Sequence, residues 1–149
     1  MRAVIQRITS GSITVDAVVA GKINRGFIMY LGVHTDDTEK DADYIADKSI
    51  GLRIFEDADG KFNLSVKDIG GSVLIVSQFT VYADCRKGKR PSFTNAARPK
   101  KAQALYEYIC HAVSVRGIPV QTGIFAAHMM VETVNDGPVT VILDSHKVL

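Results

Sequence analysis

The period of the apolar positions changes several times along the 149 residues, and each change marks an element. Residues 2–9 place Ala3, Ile5 and Arg7 on one face, and residues 12–19 alternate Ile13, Val15 and Ala17 with Ser12, Thr14 and Asp16. Both runs read as strands, with Ser10-Gly11 and Ala20-Gly21 as the turns. Gly26-Phe-Ile-Met-Tyr-Leu-Gly-Val33 is apolar throughout, as a central strand buried on both faces requires. The period then lengthens: Ala42, Ile45, Ala46, Ser49 and Ile50 recur at helical spacing behind a candidate capping box, Asp36 with Glu39. Acidic residues crowd the N-terminal part of this helix, where the helix dipole favours negative charge, and need no functional explanation. Leu52–Phe55 and Phe62–Leu64 flank Asp57-Ala-Asp-Gly60 and predict a hairpin. A calcium loop with Gly60 at its sixth position would put Phe55 and Val66 where carboxylates are required, so it is excluded. Ser72–Val76 is a buried strand running directly into Ser77-Gln-Phe-Thr80. A second helix opens at Pro99, carries Ala102, Leu105, Tyr106, Ile109 and Val113 as its apolar stripe, and ends at Gly117. Residues 118–123, 125–134 and 138–144 read as closing strands.

About eight strands and two helices, without β-α-β alternation, predict an α+β fold. The sheet is strongly bent or two-layered, barrel-like, with two main helices packed on one side. At this length the chain reads as one domain, residues 1–149. A hydrophobic content of 46% and a charged content of 23% fit a soluble globular protein. Gln6 and Arg7 interrupt any signal-peptide core, and no apolar run approaches the ~18 residues of a membrane span. Cys85 and Cys110 lack CxxC spacing, so reduced thiols in a cytoplasmic protein are expected.

The net charge of +2 is unevenly spread. Residues 86–101 carry Arg86, Lys87, Lys89, Arg90, Arg98, Lys100 and Lys101 and no acid, which leaves the rest of the chain net acidic. Such a segment either attracts a polyanion or serves as a solvated loop. The four histidines show no metal-ligand spacing, and the P-loop, GxGxxG and GxSxG signatures are absent, so no cofactor or metal is expected.

Two polar features remain. Ser77-Gln78-Phe79-Thr80 stops a buried strand, where loops often carry a site. Strand alternation would send Ser77 and Phe79 to one face and Gln78 and Thr80 to the other. These groups either satisfy strand-end backbone or take part in catalysis. In the second case Thr80 is a nucleophile needing a base from elsewhere in the fold, or the N–H groups of residues 78–80 form an oxyanion hole while water attacks. Gly137-Pro138 sits between two strand-like runs. It reads either as a hairpin turn, given Asn135-Asp136 before it, or as a rigid wall of main-chain carbonyls: proline donates nothing to a sheet, glycine admits close approach, and an X-Pro bond can be cis.

Ser77-Gln-Phe-Thr80, Asn135-Asp-Gly-Pro-Val-Thr140 and Gln6-Arg7 together resemble the bacterial and eukaryotic D-aminoacyl-tRNA deacylases. The similarity runs the length of the chain through Leu31-Gly-Val33, Arg53-Ile-Phe55, Gly60-Lys61, Asn63-Leu64, Gly70-Gly-Ser-Val73, Arg90-Pro-Ser-Phe93, Ala104-Leu-Tyr106, Thr122-Gly123, Phe125-Ala-Ala127 and Met129. The resemblance implies a homodimer with active sites at its interface. Gly137 and Pro138, joined by a cis bond, would reach into the partner's pocket and screen chirality, braced by Arg7. A related deacylase acting on L-alanine mischarged to a threonine tRNA carries a trans Gly-Pro, so Arg7 argues for the D-specific type. Ser77, Gln78, Phe79 and Thr80 would hold the scissile ester while the tRNA's 2′-hydroxyl assists water. Phe125 and Met129 would line the terminal-adenosine pocket, or else belong to the core. Arg86, Lys87, Lys89 and Arg90 would meet the acceptor stem. Glycyl-tRNA, having no chirality to screen, would also be a substrate. The alternatives are a noncatalytic nucleic-acid-binding module and an editing domain for L-aminoacyl-tRNA.

Overall fold

A single long strand, β1 (Arg2–Val15), organises the sheet in the computed structural model, which describes residues 1–149. One edge of β1 is shared by β2 (Val18–Ile23) and β3 (Gly26–Gly32), which pair with residues 11–15 and 2–8 respectively. The other edge is taken along almost its whole length by β8 (Met130–Asp144). Ser10-Gly11 is therefore not a turn. The strand continues through it, and Gly11 is buried where a Cβ would lie 2.8 Å from the Ile8 side chain. Nor is Ala20-Gly21 a turn, since both residues lie inside β2. The reversal falls at Asp16-Ala17, whose φ values of 48° and 62° give the two-residue hairpin geometry that matches strand twist. Neither residue is the glycine or asparagine that usually signals it.

The path β2-β1-β3-β6-β7 continues through β6 (Ser72–Ser77) and β7 (Val120–Thr122), both in parallel pairings. Parallel neighbours need crossovers, and α1 (Glu39–Gly51) and α2 (Pro99–Val115) lie in them. At the far side a Cβ on Gly21 of β2 would collide with the Thr122 carbonyl of β7, so the sheet curls until its edges nearly meet. This is the α+β, barrel-like architecture expected, with two helices. The short hairpin of β4 (Phe55–Glu56) and β5 (Phe62–Leu64) is also as expected.

The caps differ by a small shift. Thr38, extended at φ −129° and ψ 177°, is the N-cap of α1, and its N–H donates to Asp41 Oδ2 at 2.9 Å. Asp36 and Glu39 do not form the box. Pro99 opens α2, as predicted. The apolar stripes of both helices pack on one face of the sheet, where Ala42, Ile45, Leu105, Tyr106 and Ile109 meet Ala3, Ile5, Phe27, Met29, Val73 and Ile75. Inside the curl a second cluster forms from Ile8, Ile13, Ile23, Ile28, Leu74 and Val76. No helix is long and apolar enough to cross a membrane.

The chain around Gly137-Pro138 is not a hairpin, because both of its arms pair with the same strand. Gln6 faces Thr140 and Ile8 faces Asn135, so residues 136–139 stand opposite Arg7 alone and are pushed out of the sheet as a bulge. The Gly137-Pro138 bond is cis, and Gly137 has φ 126°, a value that suits glycine. Arg7, only 5% exposed, fills the gap. Its Nε donates to the Asp136 carbonyl at 3.1 Å and its terminal nitrogen to the Ile54 carbonyl at 2.8 Å. The Asp136 carboxylate pairs with it at 3.2 Å. Residues 125–129 are not strand; β8 begins only at Met130.

Arg7→Met strips two sheltered carbonyls of their donor and should lower stability by about 2–4 kcal/mol, read from the urea midpoint. The Val139 amide should exchange faster in that variant. Arg7→Lys should recover only part of the loss, since an ammonium lacks the planar fork that spans two carbonyls. A Met variant with an unchanged midpoint would remove the guanidinium from this role.

Candidate functional site

A cleft of about 540 Å³ opens where the parallel strands β3 and β6 end, the size of a small-molecule site. Its floor is Leu31, Val33, Val76 and Ser77. One wall is Phe125–Met129, and the other is Phe93, Ala96, Ala97 and the first turn of α2. Most of this lining is apolar, and His128 is its one titratable side chain. Phe79 and Phe93 meet edge to face across the mouth, with centroids 5.0 Å apart, although Phe79 is 54% exposed.

The polar segment does not continue the strand. The chain leaves β6 at Ser77 and tightens into a one-turn 3-10 helix, Phe79–Tyr82, so the expected alternation of faces does not hold. The cause is tertiary: the Gln78 N–H donates to the Leu31 carbonyl at 2.8 Å and pins the chain beside β3. Gln78 is thereby lost as an oxyanion donor. Phe79 and Thr80 open the helical turn, and their N–H groups have no preceding helical carbonyl to bond. The Gln78 side-chain amide donates to the Thr80 hydroxyl. No carboxylate or imidazole bonds Thr80, so the base that a nucleophilic hydroxyl requires is not beside it.

Ser77, Gln78, Phe79, Phe125 and Met129 share one cleft, and Thr80 sits just outside its lining, held by Gln78. Phe125 also packs on Tyr106 at 6.0 Å, so it serves core and cleft together. Gly137, Pro138 and Arg7 are not part of the lining. The glycine and proline are exposed elsewhere on the sheet, and Arg7 is buried beneath them. Leu31, Val33, Phe93, Ala96, Ala97 and Ala102 were not singled out as site residues, and small apolar side chains give no chemical signal. Leu31, Val33 and Phe93 carry a hint, within Leu31-Gly-Val33 and Arg90-Pro-Ser-Phe93.

The basic segment forms a loop pinned at its base. The Asp84 N–H donates to the Ser92 carbonyl at 2.7 Å, and the reverse bond is 3.0 Å. Arg86, Lys87, Lys89 and Arg90 ride exposed on this loop, and Lys101 is tied back to the Thr35 carbonyl at 2.5 Å. Arg86 is committed to Asp84 at 2.6 Å, and its side-chain and backbone bonds hold that carboxyl down to about 2.

Asp37, Asp41 and His146 bring possible metal-ligand atoms within 4.8 Å of one another, a grouping that sequence spacing hid. Here Asp37 instead receives the Met1 ammonium at 2.5 Å and the His146 Nε2 at 2.9 Å.

The family model described as D-Tyr-tRNA(Tyr) deacylase matches residues 4–144. A D-aminoacyl-tRNA deacylase of Thermotoga petrophila is 58% identical over 147 residues, 99% of both chains. One of Clostridioides difficile is 57% identical over the same coverage. A solved structure titled c-Myc DNA Unwinding Element Binding Protein superposes with a TM-score of 0.92 at 37% identity, covering 97% of this chain and 98% of the other. A probable eukaryotic D-amino acid tRNA deacylase shares the fold, with a TM-score of 0.80 at 19% identity, over 95% of this chain and 97% of its own. A match over nearly the whole length, at this identity, places the chain in the D-Tyr-tRNA(Tyr) deacylase family and makes it a hydrolase of that class.

Proposed function

We propose that the protein hydrolyses the ester joining a D-amino acid, or glycine, to the 3′ end of tRNA, and that it rejects L-aminoacyl-tRNA through main-chain atoms. The observation that carries this reading is an apolar cleft with polar main chain at one end and no nucleophile–base pair, in a chain of this family. The terminal adenosine enters between Phe79, Phe93, Phe125 and Met129, where a base can pack on aromatic and apolar surface. Water adds to the ester carbonyl, the developing oxyanion faces the Phe79 and Thr80 N–H groups, and the ribose oxygen leaves with the proton. The neighbouring 2′-hydroxyl of the substrate assists the water. Ser77, Gln78 and Thr80 position the ester.

The chirality screen comes from a second copy. Gly137 and Pro138 stand apart from the cleft of their own chain and project from β8. There Val134 and Ile142, 57% and 56% exposed, make an apolar surface on either side of the bulge. A two-fold dimer would cover this surface and bring each bulge to the partner's cleft. The carbonyls of Gly137 and Pro138 then meet the substrate's α-carbon, and an L side chain would run into them. The cation-bearing loop, Arg86 to Arg90, meets acceptor-stem phosphates.

The direct test incubates the protein with D-tyrosyl-tRNA and L-tyrosyl-tRNA and follows ester loss. Release of the D ester alone is the expected result, and equal release of both would sink the chirality screen. A second reading, a noncatalytic nucleic-acid-binding module, is favoured by the cationic loop and by the DNA-binding title of the 37%-identical structure; retention of both esters with tRNA bound would support it.

Thr80→Ala separates positioner from nucleophile. A positioning hydroxyl predicts a fall in kcat of roughly tenfold, whereas loss of a nucleophile typically costs several orders of magnitude. Raising salt at limiting tRNA should lower kcat/KM steeply, with a log–log slope that flattens when Lys87, Lys89 and Arg90 become alanine. A slope that those substitutions leave unmoved would detach the loop from the RNA.

A further inference from the structure

A second cavity, of about 660 Å³, lies on the other side of the 3-10 turn from the first. Arg2, His34, Tyr82, Arg86, Asn95 and His146 contribute to its lining. The two cavities share a partition: Ser77–Phe79 line one and Tyr82–Arg86 the other, and Ala96 faces the first while Asn95 faces the second. From Phe79 to Tyr82 the turn advances only roughly 6 Å, at the ~2.0 Å rise of a 3-10 helix. The linings of the two cavities are thus separated by little more than one turn of backbone.

The chemistry of the second cavity is that of a heterocycle's edge more than of a phosphate. Its two fixed acids are already neutralised, Asp144 by Arg2 at 3.1 Å and Asp84 by Arg86 at 2.6 Å. What remains is a mixed set of donors and acceptors. The Asp36 N–H donates to His34 Nδ1 at 3.2 Å, which leaves the His34 Nε2–H as a donor. The His146 Nε2 lies 2.9 Å from an Asp37 carboxylate oxygen, a contact that holds the ring in place. The Asn95 amide offers both kinds of group. The Tyr82 hydroxyl belongs to a residue only 6% exposed and has no hydrogen-bond partner. Burial, reinforced by the nearby Asp37 and Asp144 carboxylates, raises its pKa, so it remains a proton donor in want of an acceptor. The His34 ring lies 5.0 Å from that of His146 and 5.3 Å from that of Tyr82, so flat surfaces line the same space.

We propose that this cavity binds the nucleobase immediately preceding the terminal adenosine in the single-stranded 3′ end of tRNA. The proposal rests on the terminal adenosine occupying the first cleft. Single-stranded RNA is read by splaying bases onto planar side chains and bonding their edges. One base held in this way would fix the register of the ester in the first cleft.

Binding of uncharged oligonucleotides tests the proposal without relying on turnover. The trinucleotide CCA should bind the wild-type protein about tenfold more tightly than adenosine 5′-monophosphate, the scale of one stacked and bonded base. A trinucleotide abasic at the position before the adenosine should lose that gain. Tyr82→Phe, which keeps the ring and removes a hydroxyl that bonds nothing within the chain, should reduce the gain, and Asn95→Ala should do the same from an exposed site. With D-tyrosyl trinucleotide as substrate, the effect of both variants should fall on KM and not on kcat. Equal wild-type affinity for CCA and the mononucleotide, full gain from the abasic probe, or variants that keep the whole gain would each overturn the proposal. Retention of the CCA gain by a protein that cleaves no D ester would instead overturn the deacylase reading alone.

Discussion

The guanidinium of Arg7 is the interaction on which the displayed part of the sheet depends. A bulge of four residues opposite one interrupts the hydrogen-bond ladder between β1 and β8, and something must satisfy the carbonyls it exposes. Arg7 does so from inside for the Asp136 carbonyl, and it holds the Ile54 carbonyl, outside the bulge, at the same time. It therefore ties the bulge to the segment that leads into the β4–β5 hairpin. The Phe62 ring, 5.3 Å from the guanidinium carbon, encloses the charge further. Val139 adds a bond from its N–H to the Asn135 side chain at 3.3 Å, closing the bulge locally. Gly137 and Pro138 thus project from an anchored base, not from a free loop.

The cleft uses the opposite strategy, leaving its walls almost free of charge. Tyr106 donates its hydroxyl to the Ile75 carbonyl at 2.8 Å behind the cleft, and burial raises its pKa so that the proton stays in place. Burial likewise pushes the Cys110 thiol up to about 12, which makes it a packing residue with no thiolate to offer. In such surroundings a fixed N–H dipole acts more strongly than it would in water. The polar equipment is mainly backbone, and its placement follows from one bond, Gln78 N–H to Leu31, that ends a strand and starts a turn.

The sequence made some of this visible and hid the rest for identifiable reasons. Helical stripes such as Leu105, Tyr106, Ile109 and Val113 were legible because burial on one face imposes their spacing. The hairpin at Asp16-Ala17 was not, since its second positive φ falls on alanine, where glycine is the usual signal. Ser77–Phe79 were legible as a candidate site, but their local geometry was not, because a contact with Leu31 sets it. The nature of the Gly137-Pro138 segment could not be settled locally. Turn or bulge depends on whether both arms pair with one strand, and that strand lies about 130 positions away in the chain. Ala96, Ala97 and Ala102 shape a wall through their smallness, a property that becomes meaningful only once the wall exists.

The pair of bonds between Asp84 and Ser92 has a wider consequence. It acts as a clasp, isolating residues 85–91 mechanically from the floor of the cleft. Within that enclosure length and charge are free to drift, because no core side chain depends on them. Insertions or charge changes there would leave the backbone that shapes the cleft in place.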